Sequence, residues 1–257
     1  INILIVVIGY NKLGIFSLAL GYYTYLLICS LYSHYFNTTN GLFYLRWLTH
    51  FKLSYFLPFV GVAGYLIAAY ASGQINVFVE KTLSANMEVG VVSLVNYASQ
   101  IKGSLQAVFS SVLLSIVVPI MTLKYINKEK SGYTKALAQG QAIIFGILIF
   151  VIPVITSSSD SVAEIIFSNN MLTGEQKTAF ETLLQGYIFS LYPVLLYVIY
   201  GYALVSIGKE REYAVLAIIC QFVSILFTLV FVNIFGFKLF PLSLFASPLI
   251  GAFIIIY

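Results

Sequence analysis

Polar residues are sparse along this chain and gather in short clusters between long apolar runs. Apolar stretches near 20 residues recur, about the length at which a helix crosses a ~30 Å hydrocarbon core. The pattern predicts membrane helices at roughly 1–9, 14–33, 54–79, 89–125, 134–157, 178–206, 213–233 and 239–257. The expected fold is therefore an all-α polytopic bundle of about eight transmembrane helices. Pro58, Pro119, Pro153, Pro193 and Pro248 punctuate the spans. Each lacks a backbone donor and tends to kink its helix, and the freed carbonyl needs a partner in protein or trapped water. Bent helices around a cavity fit this usage. The run 89–125 would be ~55 Å long as one straight helix, so a break at Gly103 or Pro119 is expected.

Two of these helices carry polar stripes. At 100° per residue, Tyr65, Ser72, Asn76 and Glu80 fall within ~80° of one another. Lys81 lies off that stripe and is expected to snorkel to water at the outer interface. On the next helix Asn96, Ser99, Gln100, Gly103, Gln106 and Ser110 fall within ~140°, with Lys102 off that face. Two consecutive helices with long polar faces point to a water-filled cavity, with Glu80 and Lys81 at its mouth. Gln139, Gln141, Glu181, Gln185 and Tyr192 are further candidates for its lining. The Tyr-rich run 185–202 reads as an aromatic belt plus packing.

Composition sharpens the membrane reading. The chain is 60% hydrophobic and only 9% charged, where a soluble domain has about 25% charged residues. A water-facing surface needs those charges and a lipid-facing one does not. Lys and Arg alternate between connecting segments. Arg46, Lys52, Lys124, Lys128, Lys130, Lys135, Lys209 and Arg211 fall in one set, and Lys12, Lys81, Lys102, Lys177 and Lys238 in the other. Eight against five places the first set in the cytoplasm. The outer segment 158–181 is acidic and holds two capping-box patterns, Ser161 with Glu164 and Thr173 with Gln176. The chain opens on Ile1 and closes on Tyr257 inside apolar runs, which reads as a fragment of a longer polytopic protein.

Several chemistries lack their motifs. There is no phosphate-binding P-loop, no Gly-x-Ser-x-Gly and no His-Glu-x-x-His. His34 and His50 have no metal-ligand spacing, and Cys29 and Cys220 read as small buried hydrophobes. The sequon at 37–39 falls on the expected cytoplasmic side. No enzyme activity, cofactor, metal or nucleic-acid partner is expected.

The stretch 73–123, "GQINVFVEKTLSANMEVGVVSLVNYASQIKGSLQAVFSSVLLSIVVPIMTL", resembles the MurJ/MviN lipid-flippase family. Glu80-Lys81, Leu83-Ser84-Ala85, Gly90, Ser93, Tyr97-Ala98 and Pro119 match its order of features. The segment 164–213 resembles the family's outer loop, following helix and cytoplasmic turn, so the resemblance covers most of 54–233. It implies a MATE-like transporter of the MOP superfamily, built from two six-helix lobes related by internal symmetry. On that reading 1–33 is the end of the first lobe, 34–53 a cytoplasmic linker and 54–257 the second six-helix lobe. The family typically carries an acidic residue and an Arg directly after Tyr-Ala, and that Arg is thought to meet the substrate's pyrophosphate. Ser99 and Gln100 stand there in this chain, and Gln offers a phosphate no charge.

The activity implied is flipping of an undecaprenyl-linked sugar precursor across the bacterial inner membrane by alternating access. The substrate is lipid II or a related lipid-linked oligosaccharide, serving cell-wall or polysaccharide export. Asn76, Glu80, Lys81, Asn96, Ser99, Gln100, Gln106 and Gln185 are the expected substrate-cavity residues. Expected partners are the lipid-linked oligosaccharide, membrane lipids and a coupling ion, Na⁺ or H⁺. A multidrug or cation antiporter of the same superfamily would need an acidic residue deep in a helix, whereas every Asp and Glu of 54–257 falls near an expected helix end. A membrane polymerase or ligase of lipid-linked sugars would need a large outer loop carrying Arg or His.

Overall fold

In the computed structural model, residues 16–39, 53–88, 90–167 and 172–256 are described. The chain divides into two units, Ile1–Pro58 and Phe59–Tyr257. The first contributes helix α1, Phe16–Thr39, which runs six residues past the expected end at 33. Cys29 is exposed on it, against the expectation of a buried thiol. His34 is exposed on it too, while His50 lies outside the described residues.

Helix α2, Leu53–Ala85, leads into the second unit. Helix α3, Val91–Val112, continues through a π-turn at Leu113–Val117 into α4, Val118–Ile126. Helices α5, Lys130–Ser157, α6, Ser159–Phe167, and α7, Gly174–Ser206, follow. Helix α8, Glu210–Phe235, passes through a short 3₁₀ turn, Gly236–Lys238, into α9, Leu239–Ile256. Four stretches among the described residues are long and apolar enough to cross a membrane: Val91–Ile126, Lys130–Ser157, Gly174–Ser206 and Glu210–Ile255. The last is 46 residues long, about twice what one crossing needs. Gly236, at φ 56°, supplies the positive φ that turns the chain between α8 and α9.

Helix α7 is the hub of the second unit. Half of its apolar window is buried, against 17% for α5. Phe180, Leu183, Leu184, Tyr187, Ile188, Leu191 and Leu195 are fully buried along it. Small residues let its neighbours approach, as in membrane helix pairs generally. A Cβ on Gly186 would stand 2.8 Å from Pro241 Cγ of α9, and one on Gly140 of α5 would stand 2.6 Å from Ile199 Cδ1 of α7. Phe167 of α6 lies between Tyr97 of α3 and Phe180 of α7, edge-on to both at 5.2 and 5.1 Å. The belt-plus-packing reading of 185–202 therefore covers a run whose Tyr187 is wholly interior.

The break in the long helix falls at the π-turn just before Pro119, and α3 runs unbroken through Gly103. Pro119 has no N–H for the carbonyl of Ser115 and its ring crowds that group, so the turn widens ahead of it. Helices α5, α7 and α9 run through Pro153, Pro193 and Pro248 without interruption.

Of the two capping boxes, the second is formed. Gln176 N donates to Thr173 Oγ1 at 3.3 Å and Thr173 N donates to Gln176 Oε1 at 3.1 Å. Removing the hydroxyl with Thr173→Ala is expected to cost about 1 kcal/mol, read as a lowered melting temperature in detergent. The first box does not form. Helix α6 begins two residues earlier, and Glu164 accepts from Lys177 at 3.0 Å. Lys177 also pairs with Asp160, so one lysine ties α6 to the start of α7.

Candidate functional site

A cavity of about 690 Å³ opens within the second unit, walled by α2 and α3, with α8, α7 and α9 contributing. From α2 come Gly73, Gln74, Asn76, Val77, Glu80 and Lys81. From α3 come Val95, Asn96, Ser99, Lys102, Gly103 and Gln106. Tyr213, Ala217 and Gln221 line it from α8, and Tyr197 from α7. Two lysines and one glutamate give the lining an excess of positive charge.

Six of the eight expected residues, Asn76, Glu80, Lys81, Asn96, Ser99 and Gln106, line this one cavity. Gln100 and Gln185 are not among its walls. Gln100 is exposed, and Gln185 Nε2 donates to Ser159 Oγ of α6 at 3.1 Å. Gln139, Gln141, Glu181 and Tyr192 do not line it either. Tyr192 packs edge-on against Phe145, ring centres 5.8 Å apart.

The helical wheel explains both outcomes. Val91, Leu94, Val95 and Ala98 of α3 are buried, on the side that meets α7. Gln100 lies ~160° from Ala98 on the wheel and so points away. The cavity face of α3 is centred near Ser99, ~40° from the middle of the expected polar arc. That shift brings Lys102 into the wall, where the sequence reading had it off the face. On α2 the shift is larger. The cavity face is centred between Gly73 and Val77, ~80° from Asn76. The polar stripe is therefore a seam rather than the middle of a wall.

That seam is held by three hydrogen bonds. Asn76 Nδ2 donates to Gln221 Oε1 at 2.8 Å and to Ser224 Oγ at 3.1 Å, joining α2 to α8. Nearer the end of α2, the Tyr187 hydroxyl of α7 donates to Glu80 Oε1. Glu80 thus faces inward onto a buried tyrosine, not simply outward at a helix end. Tyr65, expected on the stripe, is exposed beneath the Arg211 guanidinium, 5.6 Å from its ring centre.

Lys102, Gln74, Tyr197, Tyr213 and Gln221 were not among the expected residues. The spacing of Tyr213, Ala217, Gln221 and Ser224 by four, four and three marks one face of α8 and was legible. Tyr197 Oη is buried and makes no hydrogen bond among the described residues. An unmatched buried hydroxyl costs ~1–3 kcal/mol. Among the described residues no group of His, Cys, Asp and Glu could hold a metal ion.

The family model described as lipid II flippase MurJ matches residues 1–257. No curated protein matches the chain. Among solved structures, the fold is similar to a MATE point mutant, at TM-score 0.78 and 16% identity over 98% of this chain and 57% of that one. A MATE in complex with MaL6 gives TM-score 0.78 and 14% identity over 98% and 58%. The lipid II flippase MurJ in an inward closed conformation gives TM-score 0.69 and 17% identity over 100% and 54%. This chain thus spans a little over half the length of each of these structures.

Proposed function

This chain belongs to the MurJ family of lipid II flippases, and on that premise we propose that it carries a lipid-linked sugar precursor across the bacterial inner membrane. The family is one of transporters, not enzymes, and the apolar helices make the chain a multi-pass membrane protein. The observation that supports the transport reading is the cavity. A space of about 690 Å³, into whose partly apolar wall Glu80, Lys81, Lys102 and several Asn, Gln and Ser side chains are set, stands inside a bundle whose membrane-length helices are strongly apolar. Such a lining is expensive to keep within a bilayer unless it meets water or a polar cargo. The cargo we infer is an undecaprenyl-linked diphosphate sugar, lipid II or a related oligosaccharide. Residues 54–257 would form one six-helix lobe of a two-lobe transporter, with 1–33 the end of the other lobe and 34–53 the linker. Alternating access would then expose the cavity to each side in turn.

The test places the complete protein in vesicles and measures outward movement of fluorescent lipid II beside a fluorescent O-antigen-type lipid-linked oligosaccharide. Movement of lipid II is expected. Movement of the second lipid alone would assign the related oligosaccharide as cargo. Movement of neither would overturn the reading in favour of an antiporter of the same superfamily. The inward-facing Glu80 would then be the residue for Na⁺ or H⁺ coupling.

A further inference from the structure

We propose that a second pocket, at the outer end of the bundle, takes the peptide arm of the cargo, so that the cargo is a lipid-linked sugar bearing a peptide. The proposal rests on the flippase reading above for the source of the peptide. It deepens that reading by choosing lipid II over a peptide-free oligosaccharide. The pocket holds about 530 Å³, inside the ~300–1,000 Å³ range of small-ligand sites. Three parts of the second unit meet around it: the α2–α3 turn, the start of α7 and the 3₁₀ turn between α8 and α9. All three fall on the side read from the sequence as outer. The pocket shares no lining residue with the cavity described above.

Its lining suits a ligand with charges of both signs. Glu88 stands on the α2–α3 turn, Glu175 in the first turn of α7 and Lys238 in the 3₁₀ turn, and all three are exposed. Val91, Leu94 and Phe237 give the same pocket an apolar part. The ion pairs among the described residues are Lys124 with Glu129 and Lys177 with Asp160 and Glu164, and none of the three rim charges is in them. Lys177, two residues from Glu175, shows the contrast, since α6 claims it twice. A lone phosphate would meet two carboxylates here. A short peptide with an ammonium and a carboxylate matches both signs. The peptide arm of lipid II carries both groups, and a neutral oligosaccharide carries neither.

The wall is set before a ligand arrives. The Thr173–Gln176 capping box fixes the first turn of α7. Gly90, at φ 95°, lets the α2–α3 turn close on it, and a Cβ there would stand 3.2 Å from Gln176 Nε2. Glycine is the residue that takes this φ without strain. Walls held in place spare the ordering cost of binding.

The experiment uses the complete protein in lipid nanodiscs. Binding is measured for the free pentapeptide of lipid II, the same peptide with its amine acetylated, lipid II, and the same lipid-linked disaccharide without its peptide. Flipping of both lipids is measured in vesicles. Acetylation is expected to weaken peptide binding about fivefold, the upper range for a charge pair at an exposed site, and high salt should weaken it too. Glu88→Gln combined with Glu175→Gln should remove the effect of acetylation. Lys238→Gln should do the same for amidation of the C-terminal carboxylate. Glu212→Gln, which changes an acid outside the pocket, should leave both effects in place. Lipid II should bind more tightly than the peptide-free lipid. Exchanges of exposed side chains seldom change stability, and melting curves check that each variant is folded.

Equal binding of the free and acetylated peptides by the unaltered protein would overturn the site. Charge-dependent peptide binding in a protein that holds both lipids alike would overturn the cargo as the source of the peptide. If the protein flips neither lipid yet still reads the charges of the peptide, the flippase reading falls and the cargo assignment falls with it, while the pocket stands as a peptide site alone.

Discussion

Gly103→Phe is expected to stop lipid flipping while leaving a folded protein. Gly103 sits on the cavity face of α3, and a Cβ there meets nothing within 4 Å. A side chain can thus start from this position without a clash at its Cβ, and it extends from the cavity wall next to Lys102. An aromatic ring adds 150–250 Å² of surface, which a headgroup would have to share. Flipping in vesicles should fall by about tenfold or more, the cost of a barrier raised by ~1.4 kcal/mol. Gly103→Ala is the control. It should keep transport and add up to ~1 kcal/mol of helix stability. Full transport by Gly103→Phe would show that cargo does not pass this face.

Gly186→Val is expected to give the opposite phenotype, a protein that melts early. The position is where α7 and α9 touch. A Cβ there would lie 2.8 Å from Pro241 Cγ and 2.9 Å from Pro241 Cβ. A proline ring cannot swing aside as the end of a lysine can, so the helices must part. Overpacking of this kind costs ~1–3 kcal/mol. Parting also loosens the contact that buries Leu183, Tyr187 and Phe240. Thermal unfolding in detergent should show a clear drop for Gly186→Val. Gly146→Ala on α5, with nothing within 4 Å of its Cβ, should show none. Equal melting of both would mean that α9 does not close on α7 as described.

The helices themselves were legible because length and apolarity alone set a membrane span. A helix start followed where local chemistry was decisive, as at Thr173. The Ser161 box failed because Lys177, 13 residues away along the chain, claims Glu164. Which helix would be the hub was not legible. In a soluble protein a helix apolar all round is a buried one, but in a bilayer lipid makes every span apolar, so α7 does not stand out. The cavity was half legible for a related reason. Polar stripes on α2 and α3 showed which helices face water, not the angle at which they do so. That angle depends on which residues a neighbour covers. Asn76 turned out to be a seam residue tied to α8, and covering Ala98 on α3 swung Gln100 out and Lys102 in.

The π-turn at Leu113–Val117 fixes the phase of everything that follows it on the same helix. A π-turn holds one residue more than the α-helical turn it replaces. Shortening it by one would restore an ordinary helix and rotate 118–126 by about 100°. Met121, now fully buried, would swing toward lipid, and exposed Ile120 or Leu123 toward the bundle. The stretch is therefore intolerant of length change in a way that its plain apolar letters conceal. The exposed Leu114 and Ile116 can be exchanged for other apolar residues, while the count of residues cannot change.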